Sequence, residues 1–373
     1  MKKKYVVLSI ITLVLLITFL TSFNYFKTSN NYVEDSVNNQ TKITKGISMN
    51  LEQTAGAGDY KQVTQSSWPT EGYKFNAELS KCENGSKISW DDTNNTVVVS
   101  GNLSDKCYVY FDIYQPTLAE YIKSQYTGTQ GDNALYYHNS TLTNGAGDNS
   151  YRYAGASDSV NNYICLGSDV AICPDANLFR IIGVFGAQTK LIRLNSVSGP
   201  SWNTSDSNTW SSSSLNTYLN GEYLTSLGTL SEKIATTTWK VGGVLWANIP
   251  TSVPATAYQY EVGSSASTTT YDAKIGLMYV SDYGFAADQS LWTTKLGSYN
   301  SNRLKNWLFL GSAEWTISRV SDATSAAFVV DSDGSVSGCT VNSDAGVFPS
   351  FNLESSVKYV SGSGSMRDPV RVN

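Results

Sequence analysis

Histidine is almost absent from this sequence of 373 residues, which contains one, His138. Metal sites built from several histidines and catalysis built on a histidine pair are therefore excluded. A lone histidine in a loop is more often an ordinary surface residue, and that interpretation is preferred for His138. Charge is also scarce, because Asp, Glu, Lys and Arg together make up 15% of the chain.

The motifs of several enzyme and nucleic-acid-binding classes are missing as well. The sequence has no Gly-x-Ser-x-Gly motif beside a partner histidine, no glycine-rich phosphate loop and no Cys-x-x-Cys pair. The formal net charge is −5, and no arginine-rich or lysine-rich patch marks a surface for nucleic acid. A nucleic-acid partner is therefore not expected.

Aromatic residues are abundant instead. The chain has 24 tyrosines and 9 tryptophans, and its hydrophobic fraction of 41% supports a substantial core. Tyrosine and tryptophan mixed with Ser, Gly and Asn suit exposed β-sheets. They also suit binding surfaces, because these rings supply a large contact area at low entropic cost.

The N-terminus carries a long apolar segment. Lysines occupy residues 2–4, and residues 5–26 run almost without polar side chains. This length is sufficient to cross a bilayer as a helix, and the lysines predict that residues 1–4 stay inside the cell. An uncleaved single-pass anchor in the cell membrane, with an extracellular ectodomain, is favoured over a cleaved signal peptide, since bulky residues end the segment. Residues 27–45 are predicted to be a linker.

The rest of the chain predicts an α+β fold in two parts. Alternating apolar and polar residues indicate short strands within 46–115, and a small immunoglobulin-like β-sandwich is predicted there. Residues 116–149 are predicted to form a connector with one helix, in which Pro116 occupies the first turn. Residues 150–373 show successive strands with a few helices, which predicts an α+β domain containing a long loop at 250–270.

The chain has five cysteines, and their spacing predicts two disulfides in an extracellular protein. Cys82 and Cys107 flank a segment rich in predicted strands, whereas Cys165 and Cys173 are close neighbours in the sequence. Cys339 is left over and is interpreted as a small, buried apolar residue that remains unpaired.

Acidic residues offer two weaker hypotheses. The segment Asp331–Ser335 begins like a calcium loop, but Asn342 stands where such a loop needs a glutamate, so a hairpin turn is preferred and calcium is a minor alternative. No other cofactor and no metal is expected. The acids Asp282, Asp288 and Glu314 lie near aromatic residues and are candidates for a glycosidase-type carboxylate pair, although their spacing does not distinguish them from solvated acids.

The C-terminal part is also rich in tryptophan. Most of these rings are expected to fill the core, but exposed aromatic rings also bind sugars by stacking. The loop 199–214 places Trp202 and Trp210 among Ser, Asn and Thr, so these two tryptophans are the candidate ligand-binding residues.

The C-terminal part resembles a bacterial surface domain of unknown function. The resemblance covers about residues 150–373 and is carried by NLFRIIGVFG, TKLIRLNS, Trp210 followed by Leu215–Asn220, Trp315, Asp333-Gly334, GVFPSF and GSGSMRDPVRV. That domain is related to the C-type lectin-like fold of formylglycine-generating-type proteins and the fibrobacter major paralogous domain. The chain departs from the pattern at Phe348, where the family often has arginine. It also lacks the pair of active cysteines of the formylglycine-generating enzymes, so their chemistry is not expected.

These observations predict a membrane-anchored extracellular protein that is not an enzyme. The resemblance implies that a lectin-like domain binds a glycan or a protein ligand. The first alternative is a structural component of the cell envelope, and the second is a carboxylate-based hydrolase.

Overall fold

The computed structural model describes residues 46–64, 67–69, 72–102 and 104–373. The chain divides into two compact units that adjoin in the sequence between Gln115 and Pro116. The segments predicted as cytoplasmic lysines, transmembrane anchor and linker all lie outside the described residues.

The first unit is built from short strands around one mixed sheet. Its strands are β1 (Ile47–Glu52), β2 (Tyr60–Val63), β3 (Tyr73–Phe75), β4 (Lys81–Cys82), β5 (Lys87–Asp91), β6 (Thr96–Ser100) and β7 (Cys107–Ile113). The sheet has the order β2-β1-β7-β3, β4 also pairs with β7, and β5 and β6 form a separate hairpin. The neighbours β1 and β7 run parallel to each other.

Alternation along β7 places the core of this unit. Cys107, Val109 and Phe111 are buried, and the residues between them are more exposed. The β5–β6 hairpin contributes to the same apolar cluster, in which the ring of Trp90 meets Phe111 edge-on at 5.6 Å between centroids. A residue period of two thus directs one face of the strand into the core.

The second unit contains a larger mixed sheet and two smaller ones. Its strands are β8 (Leu135–Tyr137), β9 (Tyr151–Tyr153), β10 (Tyr163–Cys165), β11 (Leu178–Phe185), β12 (Gln188–Arg193), β13 (Thr237–Lys240), β14 (Thr270–Ala273), β15 (Ile275–Gly276), β16 (Glu314–Arg319), β17 (Ala326–Val330), β18 (Val336–Thr340), β19 (Ser350–Leu353), β20 (Tyr359–Ser361) and β21 (Val370–Val372). The main sheet has the order β15-β19-β12-β11-β10-β21-β20, and β9 joins it through β11 and also pairs with β8. The smaller sheets are β16-β17-β18 and β13-β14.

A close approach in the main sheet requires glycine. The register between β11 and β12 shifts at Ile181 and Gly183, and Gly183 then faces Arg152 on β9. A Cβ atom at Gly183 would lie 2.2 Å from the carbonyl oxygen of Tyr151. Only glycine lets β9 pair at this position, and this pairing brings Arg152 to the centre of the unit.

The helices are short. They are α1 (Leu118–Ser124), α2 (Ser214–Tyr218), α3 (Leu224–Ser226), α4 (Asn248–Thr251), α5 (Pro254–Glu261) and α6 (Val280–Ala286), with a π-helical turn at Leu219–Tyr223. Further 3₁₀ turns cover Asp132–Ala134, Asp175–Asn177, Trp210–Ser212, Gly228–Lys233, Gln289–Leu291 and Leu296–Lys305. Helix α1 begins with a capping box in which Thr117 and Glu120 satisfy each other's backbone N–H groups.

Several local predictions are confirmed. The segments NLFRIIGVFG and TKLIRLNSV form β11 and β12 within the predicted α+β domain, and the helix predicted after Pro116 is present. The predicted loop at 250–270 is wrong, because α4 and α5 occupy 248–251 and 254–261. Pro254 at the start of α5 was the sequence signal for that helix, since proline favours the first helical turn.

Both predicted disulfides are present. Cys82 and Cys107 face each other across β4 and β7 with Cα atoms 3.9 Å apart. Cys165 and Cys173 are joined with a Cα separation of 5.8 Å. Cys339 is free and half-buried.

The predicted fold class requires correction, although the mixed α+β composition holds. In the described ranges no helix is long and apolar enough to cross a membrane. The longest α-helix there, α5, has eight residues and spans about 12 Å, less than half of the ~30 Å hydrocarbon core. The first unit also differs from the predicted sandwich of two antiparallel sheets, because its main sheet contains the parallel pair β1–β7 and β5 and β6 form a separate hairpin. The C-type lectin-like fold predicted for the second unit is not confirmed.

Candidate functional site

The two tryptophans predicted to bind ligand lie in the core. Trp202 is 0% exposed and Trp210 is 1% exposed, and their rings meet edge-on with centroids 5.3 Å apart. The indole N–H of Trp202 donates to the carbonyl oxygen of Thr316 at 2.9 Å. Neither ring presents a face to solvent, so neither is accessible to a ligand in this structure.

His138 is also buried, and its interpretation as a surface residue is wrong. Its side chain is 0% exposed and packs on Phe285 and Trp292, with centroid distances of 4.8 and 5.0 Å. Nδ1 accepts the backbone N–H of Ala146 at 3.1 Å, so the neutral ring carries its proton on Nε2. Burial first, and then the positive charge of Arg152, hold the pKa of His138 well below its usual value.

The three acids considered for a hydrolase lie in different environments. Asp282 and Glu314 are buried, whereas Asp288 is half-buried and caps a turn by accepting the backbone N–H of Ser290 at 3.0 Å. Burial raises the pKa of Glu314 well above its usual value, and only its Oε1 has a partner, the backbone N–H of Leu310 at 2.7 Å. Among the described residues, no hydrogen bond joins these three acids to one another.

The segment Asp331–Ser335 is a hairpin turn, as predicted. It joins β17 to β18, and the backbone N–H of Asp331 donates to the carbonyl oxygen of Ser335 at 2.8 Å. Across the described residues, no group of three or more His, Cys, Asp or Glu side chains is placed to hold a metal ion.

A polar groove of about 470 Å³ opens on the surface of the second unit. Two short segments and one ring line it: Thr143 and Asn144 from the loop after β8, Asp288, Gln289 and Ser290 from the turn after α6, and Tyr136 from β8 itself. Its volume is comparable with that of small-molecule sites, about 300–1,000 Å³, although the groove is broadly open to solvent. The groove is the best candidate for a functional site.

The side chains of the groove are available for a ligand. Within the described part of the chain, the side chains of Thr143, Asn144 and Gln289 make no hydrogen bond. Asp288 uses Oδ1 to accept from Ser290, and its Oδ2 remains open. The groove therefore offers amide, hydroxyl and carboxylate groups beside the aromatic ring of Tyr136.

The loop that carries Thr143 and Asn144 is held in place by its own hydrogen bonds. Asn139 Oδ1 accepts from the backbone N–H groups of Thr141 and Leu142, each at 3.1 Å. The N–H of Ala146 donates to His138, and Asn144 adopts a left-handed backbone with φ of 59°. A loop ordered before binding loses little conformational entropy when a ligand arrives.

Beneath the groove lies an aromatic layer formed by Tyr136, His138, Phe285 and Trp292. The ring of Tyr136 meets Trp292 at 5.0 Å between centroids, and Phe285 meets Trp292 at 5.5 Å. The indole N–H of Trp292 donates to the carbonyl oxygen of Ala287 at 3.0 Å. This layer gives the groove a rigid support.

Deeper still lies an ionic cluster formed by Asp148, Arg152, Lys190 and Asp282. Arg152 Nη2 lies 2.7 Å from Asp148 Oδ2, and its Nη1 lies 3.4 Å from Asp282 Oδ1. Lys190 Nζ lies 2.5 Å from Asp282 Oδ2. Burial alone would raise the pKa of Asp148, but the charge of Arg152 lowers it to about 2. The guanidinium of Arg152 also lies 5.0 Å from the centroid of Phe285, which joins the cluster to the aromatic layer.

Sequence reasoning missed most of the groove. Thr143, Asn144 and Gln289 are short polar residues in turns, and nothing in their local pattern separates them from ordinary loop residues. The sequence indicated Asp288 only as a candidate catalytic acid. The groove exists because two turns distant in the sequence meet at Trp292 and Tyr136, and this proximity is a tertiary property.

Residues 187–355 match the family model of a domain of unknown function, DUF6273. The match spans less than half of the chain and confirms the expectation of an uncharacterised domain in this part. No curated protein and no solved structure matches the chain. The matched span includes Lys190, Asp282 and the groove residues 288–290, whereas Tyr136, Thr143 and Asn144 precede it.

Proposed function

We propose that the chain is a non-catalytic binding protein that acts outside the cytoplasm and holds a hydroxyl-rich ligand, an oligosaccharide, in the polar groove. The observation that carries this proposal is the lining of the groove. An aromatic ring and several short polar side chains with unused donors and acceptors match the chemistry of a sugar, whose faces are apolar and whose edges carry hydroxyl groups.

The location outside the cytoplasm is supported by the disulfides. Cys82–Cys107 and Cys165–Cys173 join residues in each of the two units. Such bonds persist in oxidising compartments and are rare in the cytosol. The proposal needs no cofactor, since direct hydrogen bonds and ring stacking supply the affinity.

A carboxylate-based hydrolase has less support. Its chemistry needs two carboxyl groups about 5–9.5 Å apart on either side of a scissile bond. Asp288 is the single carboxylate that lines the groove, while both oxygens of Asp282 face Arg152 and Lys190 inside the core. A protein ligand is also less well matched, because the groove offers one ring and otherwise short polar side chains.

The proposal is tested by binding of the full chain to an immobilised panel of oligosaccharides. Gln289→Ala and Thr143→Val each remove one free hydrogen-bonding group, and each is expected to weaken binding roughly fivefold to tenfold. Gln62→Ala, an exposed substitution on β2 in the first unit, is the matched control and should leave binding unchanged. Asn144 is left intact because its left-handed backbone strains most replacements. Binding that neither groove variant weakens would refute the assignment.

A further inference from the structure

Lys190 and Asp282 form the closest charged contact of the second unit. Lys190 lies on β12 and Asp282 lies on α6, 92 residues further along the chain. The distance of 2.5 Å joins the amine nitrogen Nζ to Oδ2, which is one of the two oxygens bonded to the carboxyl carbon Cγ. The side chains are only 7% and 3% exposed, respectively.

The surroundings of this pair exclude water. The rings of Tyr279, Trp239 and Phe185 lie around Lys190 Nζ, with centroids at 4.7, 5.4 and 5.8 Å. Trp239 is 1% exposed and Tyr279 is 8% exposed. In such a buried enclosure two opposite charges are costly to maintain, and the water that hydrolyses an amide has little access.

The carboxyl group of Asp282 is oriented by fixed donors. Oδ1 faces Arg152 Nη1 at 3.4 Å, and Oδ2 accepts the backbone N–H of Tyr279 at 2.9 Å. Arg152 is itself neutralised by Asp148 at 2.7 Å. The charges of Lys190 and Asp282 can therefore disappear together without leaving an unpaired charge in the cluster.

From this geometry we propose that Lys190 and Asp282 condense into an intramolecular isopeptide bond. A proton passes from the ammonium to the carboxylate, which leaves a neutral amine beside a neutral acid. The nitrogen lone pair attacks Cγ, and negative charge develops on Oδ1 beside Arg152. This attack forms the Cγ–Nζ bond, and the Cγ–Oδ2 bond then breaks. Oδ2 leaves as water, with the proton that it took from the ammonium and a second proton from Nζ. The reaction is redox-neutral and needs no other reactant.

Burial of the site favours the neutral amine form of Lys190. Burial lowers the pKa of Lys190, and the nearby charge of Asp282 opposes this shift only in part. The contact between the two groups supplies the proximity that amide formation requires, since a well-oriented intramolecular pair reaches very high effective concentrations. The bond would tie a central strand of the main sheet to α6 and close a large loop within the matched domain span.

Intact-mass measurement of the full, purified chain under reducing and denaturing conditions tests this proposal. The expected mass is lower by one water than the mass of the reduced sequence, and a proteolytic digest should contain one branched peptide joining Lys190 to Asp282. Lys190→Arg keeps the cation but lacks the reactive amine, and Lys190→Met keeps the length of the side chain. Both variants should show the full mass.

Lys61→Arg, at an exposed position of β2, is the control and should retain the loss of water. A wild-type chain of full mass, with separate peptides for the two residues, would mean that the contact is an ion pair only and would overturn the proposal. The digest of the wild-type chain decides the matter even where a Lys190 variant fails to fold. The outcome is independent of ligand binding in the groove.

Discussion

The imidazole Nδ1 of His138 accepts the backbone N–H of Ala146 at 3.1 Å, and this bond fastens the groove loop to the buried aromatic layer. His138 is the only histidine of the chain. Its Nε2 is buried and has no hydrogen-bond partner among the described residues. The ring must therefore stay neutral for the loop to keep its anchor.

The first prediction concerns pH. In the unfolded chain His138 takes up a proton near pH 6.5, whereas burial and the charge of Arg152 hold its folded pKa well below that value. The neutral ring thus contributes stability above about pH 6.5, and this contribution falls by up to about 1.4 kcal/mol per pH unit as the pH decreases. The size of this contribution is measured as the difference in unfolding free energy between the wild type and His138→Gln. The amide oxygen of the glutamine can still accept the backbone N–H of Ala146.

Chemical denaturation at about pH 7.5, 6.5 and 5.5 measures this difference across the range in which unfolded histidine titrates. The advantage of the wild type over the glutamine variant should shrink as the pH falls. A difference that stays constant with pH would contradict the buried neutral ring.

The second prediction concerns Glu314, whose contribution to stability changes with pH in the opposite direction to that of His138. Burial raises its folded pKa well above 4.5, so the folded protein keeps a proton that the unfolded chain releases. Stability is therefore lost as the pH rises above about 4.5, by up to about 1.4 kcal/mol per unit. Glu314→Gln should remove this loss and flatten the pH dependence above pH 5, as measured by urea unfolding. The exposed Glu232→Gln is the control and should follow the wild type.

The third prediction separates buried from exposed tryptophan. Trp202→Ala removes a fully buried indole with its hydrogen bond to Thr316, and a loss of about 3–5 kcal/mol is expected. Trp246 is 42% exposed, so Trp246→Ala should reduce stability by clearly less. Equal losses in thermal or urea unfolding would argue that Trp202 is not part of the core.

The fourth prediction concerns the disulfides. Cys82–Cys107 closes a sequence separation of 25 residues and Cys165–Cys173 one of 8. Replacing both cysteines of a pair by alanine should destabilise by about 3.5 kcal/mol for the first bond and about 2.5 kcal/mol for the second, because the longer loop restricts the unfolded chain more. Each loss is measured by hydrogen exchange of the amides around the bond. No loss at either site would show that native-state strain offsets the restriction.

Local patterns predicted elements well and tertiary relationships poorly. The strands β11 and β12 and the capped helix α1 follow from periodicity and caps, which act over a few residues. Whether a side chain is buried depends on the elements that pack against it, and local sequence does not show these. The sequence therefore predicted a surface position for His138 and a ligand-binding role for Trp202, whereas both side chains are buried. The contact between Lys190 and Asp282 joins side chains 92 residues apart in the sequence, which no local pattern reveals.

Amide hydrogen exchange of the full chain, with and without the oligosaccharide that binds most strongly, tests the proposed function most directly. The ligand should slow exchange in residues 139–147 and 288–292, which form the two sides of the groove, and should leave residues 245–246 unchanged. Slower exchange around the exposed Leu245 and Trp246, with no change at the groove, would contradict the proposed site.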